Sequence, residues 1–182
     1  MPSDTNIRRC VAGDEAALAL VGQATFLQTF AGVLAGDAIV AHCADAHAPA
    51  RYRAWLADPA CALWLVEAEP GRAPVGYMVV SPADLPLPDA TPGDLEIKRI
   101  YLLDRWRGGG LGGHLVSLAK AHAADCGARR LLLGVYAHNA AAIGFYQRAG
   151  FQALGTRRFS VGGQDYDDTI MGVAIASSAL TP

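Results

Sequence analysis

The stretch from Asp94 to Asp125 constrains this chain most. Leu95 and Ile97 alternate in one phase, Ile100 and Leu102 in the other. Successive side chains of a strand point to opposite faces, so a change of phase by one residue predicts a strand with a β-bulge near Lys98–Arg99. A loop over Asp104–Gly109 follows. The glycine run Arg107-Gly108-Gly109-Gly110-Leu111-Gly112-Gly113 then leads into a helix over Gly110–Asp125, with Leu111, Leu115, Leu118, Ala119 and His122 on one face and Gly127 as its end. Glycines let backbone come close to a ligand. The free N–H groups and dipole of a helix start favour an anion. A diphosphate is the natural guest, although a flexible glycine turn explains the glycines alone equally well. No Lys-Ser/Thr follows the last glycines, so this is not a P-loop. Ala128–Tyr136 has no acidic residue, so it is a poor dinucleotide fingerprint.

Around this segment, strands and helices alternate. Asn6–Val11 reads as a strand. Gly13–Phe30 reads as a helix with Leu18, Val21, Thr25, Leu27 and Phe30 on a broad face, and Gly36–Asp58 as a helical stretch broken near Pro49. Ala60–Ala68 and Pro74–Ser81 form a hairpin about a turn at Pro70–Ala73. Pro82–Gly93, with Pro82, Pro86, Pro88 and Pro92, has no periodicity and reads as a mobile loop over a site. Arg130–Tyr136 is a strand, Asn139 caps a helix running to Ala149 with Gly150 beyond it, and Phe151–Val161 and Asp165–Ile175 close as a hairpin around Gly162-Gly163. The fold class is α/β (α+β). Residues 1–175 read as a single domain and 176–182 as a tail.

Composition narrows the function classes. The 182 residues are 52% hydrophobic and 18% charged, ample for a core. A net charge of −2 argues against nucleic acid as a partner. Only Lys98 and Lys120 are lysines among abundant Ala and Gly, which points to GC-rich coding and a bacterial source. The N-terminus has no apolar signal region, and the run Cys61–Val66 is too short to span a bilayer. Cys10, Cys43, Cys61 and Cys126 form no CxxC pair and read as buried free thiols of a cytoplasmic protein. His42, Cys43, Asp45 and His47 match no standard zinc spacing, so no metal is expected.

The loop spacing matches Arg/Gln-x-x-Gly-x-Gly/Ala. Asn139-Ala-Ala-Ala142-Ile-Gly-Phe145-Tyr146-Gln-Arg-Ala-Gly150-Phe151 matches Asn-x-x-Ala-x-x-Phe-Tyr-x-x-x-Gly-Phe. In these two motifs, and in the bulged strand ahead of them, the chain resembles the GNAT superfamily of N-acetyltransferases. The resemblance implies a mixed, largely antiparallel sheet with a bulged central strand, flanked by helices, and acetyl-CoA as co-substrate. LEIKRIYLLDRWRGGGLGGHL, LLLGVYAHNAAAIGFYQRAGF, Thr25-Phe26-x-x-Thr29-Phe30 and Phe159-Ser160-x-Gly162-Gly163-Gln164-Asp165 are similar to the PaiA-type polyamine N-acetyltransferases. That finer resemblance implies a small amine acceptor, a polyamine, and admits a homodimer. It also admits another small amine, an antibiotic or a peptide N-terminus as acceptor, and a non-catalytic acyl-CoA-binding regulator.

The implied reaction is attack of a neutral amine on a thioester. A lysine-like amine has a pKa of about 10.4, so a base helps. Glu96, just before the expected bulge, is the candidate, acting through water; a strand glutamate at the surface is the plain alternative. Tyr146 is implied as the acid for the departing thiolate; a core aromatic at helical spacing is its alternative. Ile100, Tyr101 and Leu102 are expected to pair with the pantetheine arm, and a bulge N–H to polarise the carbonyl. Arg107, Gly108, Gly109, Gly110, Leu111, Gly112 and Gly113 are expected at the pyrophosphate, and Asn139 on the arm as well as at its cap. Arg148 reads more plainly as an exposed helix residue than as a phosphate contact. Polyamine nitrogens would need carboxylates, with Glu67, Asp84, Asp94, Asp165, Asp167 and Asp168 as candidates.

Overall fold

The computed structural model describes residues 4–161 and 164–176. In chain order the elements are β1 (Thr5–Arg9), α1 (Glu15–Phe30), α2 (Gly36–Ala46), α3 (Pro49–Ala57), β2 (Ala62–Ala68), β3 (Ala73–Pro82), β4 (Leu95–Leu102), a 3₁₀ turn (Asp104–Trp106), α4 (Leu111–Asp125), β5 (Arg130–Tyr136), α5 (Ala140–Arg148), β6 (Gln152–Val161) and β7 (Gln164–Ala174). The seven strands form one mixed sheet in the order β1-β2-β3-β4-β5-β7-β6. β4 and β5 run parallel, whereas β1 with β2 and β5 with β7 are antiparallel. The expected mixed, mostly antiparallel sheet with flanking helices is the observed architecture. The turn expected at Gly162-Gly163 lies outside the described residues.

Contacts group the chain into two compact units, one of residues 4–79 with 99–112, the other of 80–98, 113–160 and 165–176. The core of the first is built from Leu18 and Val21 of α1, Tyr52 of α3, Leu63 and Leu65 of β2, and Tyr77 and Val79 of β3. All seven residues of β2 are buried, as a strand covered on both faces should read. Pro49 divides the second helical stretch as expected. It stands at the start of α3, where its missing N–H has no helical partner to lose. The expected face of α1 needs correction. Leu27 is 54% exposed, and Phe26 is buried in its place, because Phe26 lies one turn beyond Gly22 on the buried stripe while Leu27 is turned about 100° away. Phe26 stacks on His42 with ring centroids 4.2 Å apart.

In the second unit β5 carries the core. Leu131, Leu132 and Leu133 are buried, paired with Leu95–Ile97 of β4 on one side and Val173–Met171 of β7 on the other. α4 buries Leu115, Val116, Ala119 and Ala123. Its buried stripe thus runs through Val116 and Ala123, and the expected Leu118 and His122 are only half-buried. The proline-rich segment is not a free cover. Leu85 and Leu87 are buried and pack on Leu132 and Ile170. Buried Asp94 and exposed Asp89 bind Arg130 at 2.6 and 2.7 Å. Two buried leucines and an ion-paired end fix this loop to the sheet. The thiols also differ from expectation: Cys10 and Cys61 are buried, Cys43 is half-buried and Cys126 is exposed.

Candidate active site

Within the first unit, Ile100 and Tyr101 of β4 are half-buried and Leu102 is buried. Tyr101 stacks on Tyr77, with centroids 6.1 Å apart. β3 approaches this segment closely at Gly76, where a Cβ would stand 2.8 Å from the Tyr101 carbonyl oxygen and 2.3 Å from Leu102 Cδ2. The glycine run follows the 3₁₀ turn. Gly108 and Gly110 have φ of 82° and 86°, and a Cβ at Gly108, Gly109 or Gly110 would meet nothing within 4 Å. Arg107 folds back over its own turn, with Nε donating to the Leu102 carbonyl at 3.1 Å and Nη1 paired with Asp104 at 2.9 Å.

The first unit also holds a cluster that the sequence did not announce. Arg99 Nη1 donates to Tyr52 Oη at 3.0 Å and reaches His47 Nδ1 at 3.3 Å, while Tyr52 Oη and His47 Nδ1 lie 2.8 Å apart. Because arginine only donates, the geometry requires His47 Nδ1 to be unprotonated, with Tyr52 donating to it. The guanidinium carbon sits 4.8 Å from the Trp55 ring centroid and 5.5 Å from that of Tyr52. Burial, the Arg99 charge and His42 together push the His47 pKa down to about 3. The residues come from the end of α2, from α3 and from β4, so no local spacing signals them.

Within the second unit, Glu96 of β4 is 1% exposed and pairs in register with Leu132. Its Oε2 accepts the Asp84 amide at 3.2 Å and Lys98 Nζ at 3.1 Å. Lys98 also binds the Asp84 carboxylate. Burial raises the Glu96 pKa, against the opposing pull of Lys98 and of the Asp84 amide. Glu96 is thus buried rather than at the surface of its strand. Asn139 caps α5, its Oδ1 accepting the Ala142 amide at 3.0 Å. Tyr146 is buried on α5, edge-on to Phe145 and Phe151 with centroids at 5.1 and 5.7 Å. Gly113 at the start of α4 lines a cleft of about 330 Å³ with Val116, Ser117, Lys120, Phe145, Arg148 and Ala149. Lys120 is held there by the Ala149 carbonyl at 2.5 Å. The structure thus brings Gly113 and Arg148 to one cleft, with Ser117 and Lys120 as members that the motifs did not mark.

Residues 33–151 match the Acetyltransferase (GNAT) family. The chain belongs to that family. An uncharacterized N-acetyltransferase of Mycobacterium tuberculosis is 36% identical over 122 residues, covering 67% of this chain and 72% of the relative. Among solved structures, a PaiA N-acetyltransferase from Thermoplasma acidophilum, in complex with coenzyme A, superimposes with a TM-score of 0.71 at 16% identity, covering 94% of this chain and 99% of that one. A GNAT acetyltransferase from Streptococcus pneumoniae gives 0.69 at 22%, covering 95% and 100%. At these identities the structural matches establish the shared fold. The protein is an acetyl-CoA-dependent N-acetyltransferase. Its glycine run fits such a donor, since positive φ at Gly108 and Gly110 and open space above Gly108–Gly110 leave backbone amides accessible to a diphosphate at the entry to α4.

Proposed function

We propose that this GNAT enzyme acetylates a primary amine by direct attack in a ternary complex, with Glu96 as base and Tyr146 as acid. Residues 1–175 are read as one catalytic domain, since the family match runs through both compact units. Acetyl-CoA, when bound, supplies the acetyl group as a thioester. Gly108–Gly113, with Leu111, hold its diphosphate. Ile100, Tyr101, Leu102 and Asn139 hold the pantetheine arm. Arg107, tied to Asp104, shapes the loop and offers its remaining donors to phosphate.

The buried Glu96 carries this reading. A carboxylate whose pKa burial raises is a better proton acceptor than a surface glutamate. The Tyr146 hydroxyl is the proton donor assigned to the departing sulfur. Thiol release from acetyl-CoA, followed with a panel of amines, tests the reading. Amine-dependent release that collapses in Tyr146→Phe supports it, and a fully active Tyr146→Phe overturns the acid assignment.

The acceptor implied by the resemblance is a polyamine, and the carboxylates weigh against it. Glu67 is held by Arg8 and Arg72, Asp84 by Lys98, Asp94 by Arg130 and Asp168 by Arg157. Asp165 lies 3.9 Å from Arg158, and of the six candidates Asp167 alone has no cation of the protein's own within ion-pair distance among the described residues.

A further inference from the structure

Four arginines among the described residues are half-buried: Arg8, Arg99, Arg130 and Arg157. Arg8 is paired with Asp14 and Glu67, Arg130 with Asp94 and Asp89, and Arg157 with Asp168. Arg99 differs. Among the described residues no carboxylate lies within ion-pair distance of it, and its hydrogen bonds both leave from Nη1, to Tyr52 and His47. Nε and Nη2, the edge that meets a carboxylate as a two-pronged fork, donate to nothing there. A guanidinium is charged at every working pH. Taking that charge partly out of water without a counter-ion is costly, and stacking on Trp55 and Tyr52 offsets only part of the cost.

The surroundings fix the group rather than neutralise it. His47 is uncharged, so it neither pairs with Arg99 nor repels it. Tyr52 and His47 pin Nη1, and close packing holds them: a Cβ on Gly22 would stand 2.3 Å from Tyr52 Oη and 2.5 Å from His47 Nδ1. Beside them the buried Tyr77 hydroxyl makes no well-formed hydrogen bond among the described residues. Buried polar groups ordinarily find partners, and such an exception calls for an explanation. Phe26, His42, Trp55 and Tyr101 make the neighbourhood aromatic, which suits an organic anion better than a hydrated inorganic one. Arg99 immediately precedes Ile100–Leu102, the segment assigned above to the pantetheine arm.

We propose that the missing counter-ion is the carboxylate of the acceptor, so that the enzyme acetylates the amino group of an amino-acid-like molecule whose carboxylate is gripped by Nε and Nη2 of Arg99. The inference rests on the acetyl-transfer reading above. In the transfer the amine nitrogen bonds to the acetyl carbon and the carbon–sulfur bond breaks. The amine gives up its proton to the base and the sulfur takes a proton from the acid, giving an N-acetyl amino acid and coenzyme A thiol. A fixed guanidinium selects for a carboxylate and repels the ammonium groups of a polyamine.

The test is thiol release from acetyl-CoA with matched pairs that differ only in the carboxylate: methionine against methioninamide and phenylalanine against phenylalaninamide, with spermidine beside them. The free acids are expected to be preferred by about 10- to 100-fold in kcat/KM, the range for a charged two-pronged contact. Arg99→Met should bring the acid-to-amide ratio near one while the KM for acetyl-CoA stays within about twofold of wild type, and Arg99→Lys should restore part of the ratio. Amides or spermidine used as well as the acids would overturn the proposal. So would an Arg99→Met variant whose main defect is a raised KM for acetyl-CoA, since the anion would then belong to the donor. Calorimetry of N-acetylmethionine and its amide on the protein saturated with coenzyme A decides independently of turnover. Tighter binding of the acid, lost in Arg99→Met, upholds the Arg99 site, and equal binding overturns it. Absence of thiol release with every amine overturns the transfer reading alone.

Discussion

Glu96 Oε2 lies 3.1 Å from the Nζ of Lys98, two residues on along the same strand. Burial raises the carboxyl pKa and the lysine opposes that rise. The working base therefore depends on its neighbour. Wild-type kcat/KM should fall as pH drops through the raised Glu96 pKa. Removing the cation in Lys98→Met should move this acid limb upward by about one pH unit, the low end of what an opposite charge at this range contributes. Glu96→Gln should abolish the limb and lower kcat/KM by about 10²-fold or more at neutral pH. A pH–rate profile of the three proteins decides it; coincident limbs would remove Glu96 from the mechanism.

The same residue couples activity to stability. A carboxyl group whose folded pKa is raised stabilises the fold fully below its unfolded pKa, and that contribution is lost as pH rises through the folded value. Above the folded value the charged Glu96 loses that contribution, so the Tm of Glu96→Gln relative to wild type should rise with pH between pH 4 and 8. Thermal melts across that range check the sign.

Tyr146 packs edge-on to Phe145 and Phe151, contacts that phenylalanine preserves. Tyr146→Phe should lower kcat by about 10² to 10³-fold while Tm shifts by only a few degrees, on the order of one lost hydrogen bond. A variant as slow as this but melting far lower would point to a structural role instead.

How much of this was legible in the sequence depended on how local the cause was. The glycine run, the cap at Asn139 and the helix break at Pro49 each act within a turn of backbone, and each stands where the residues placed it. α1 was harder, because apolar residues lie all round it and Leu27 competes with Phe26 for the same reading. Leu85 and Leu87 sit in a proline-rich segment with no period to betray their burial against β5 and β7. The Arg99 cluster was illegible, since His47 lies 52 residues from Arg99 in sequence and only the packing of α3 against β3 and β4 brings them together.

His47 gives the fold a second pH dependence of opposite sign. Its pKa is held near 3 by burial first, then by Arg99 and His42, against an ordinary value of 6.5. The unfolded chain binds a proton between those limits and the folded one does not. Stability is therefore complete above about pH 6.5 and is lost as pH falls toward 3, at up to about 1.4 kcal/mol per pH unit for one proton. Denaturant melts should show wild type losing stability faster than His47→Gln between pH 6.5 and 4. Parallel slopes would mean that His47 is charged or solvated in the folded protein.

Gly76 and Gly110 make opposite demands, and alanine separates them. At Gly76 the added methyl would collide with the Tyr101 carbonyl oxygen at 2.8 Å and with Leu102 at 2.3 Å. Both lie inside the packed sheet, so Gly76→Ala should cost about 2 to 3 kcal/mol through overpacking. It should also disturb the Ile100–Leu102 segment and raise the KM for acetyl-CoA. At Gly110 the methyl meets nothing within 4 Å, and only the φ of 86° resists it. Gly110→Ala should cost about 1 to 2 kcal/mol in backbone strain. If the diphosphate sits on this loop, however, the KM for acetyl-CoA should rise at least tenfold, because the methyl occupies the space the anion needs. Chemical denaturation paired with acetyl-CoA titration separates the two effects. A Gly110→Ala variant with unaltered affinity for acetyl-CoA would move the diphosphate away from the glycine run.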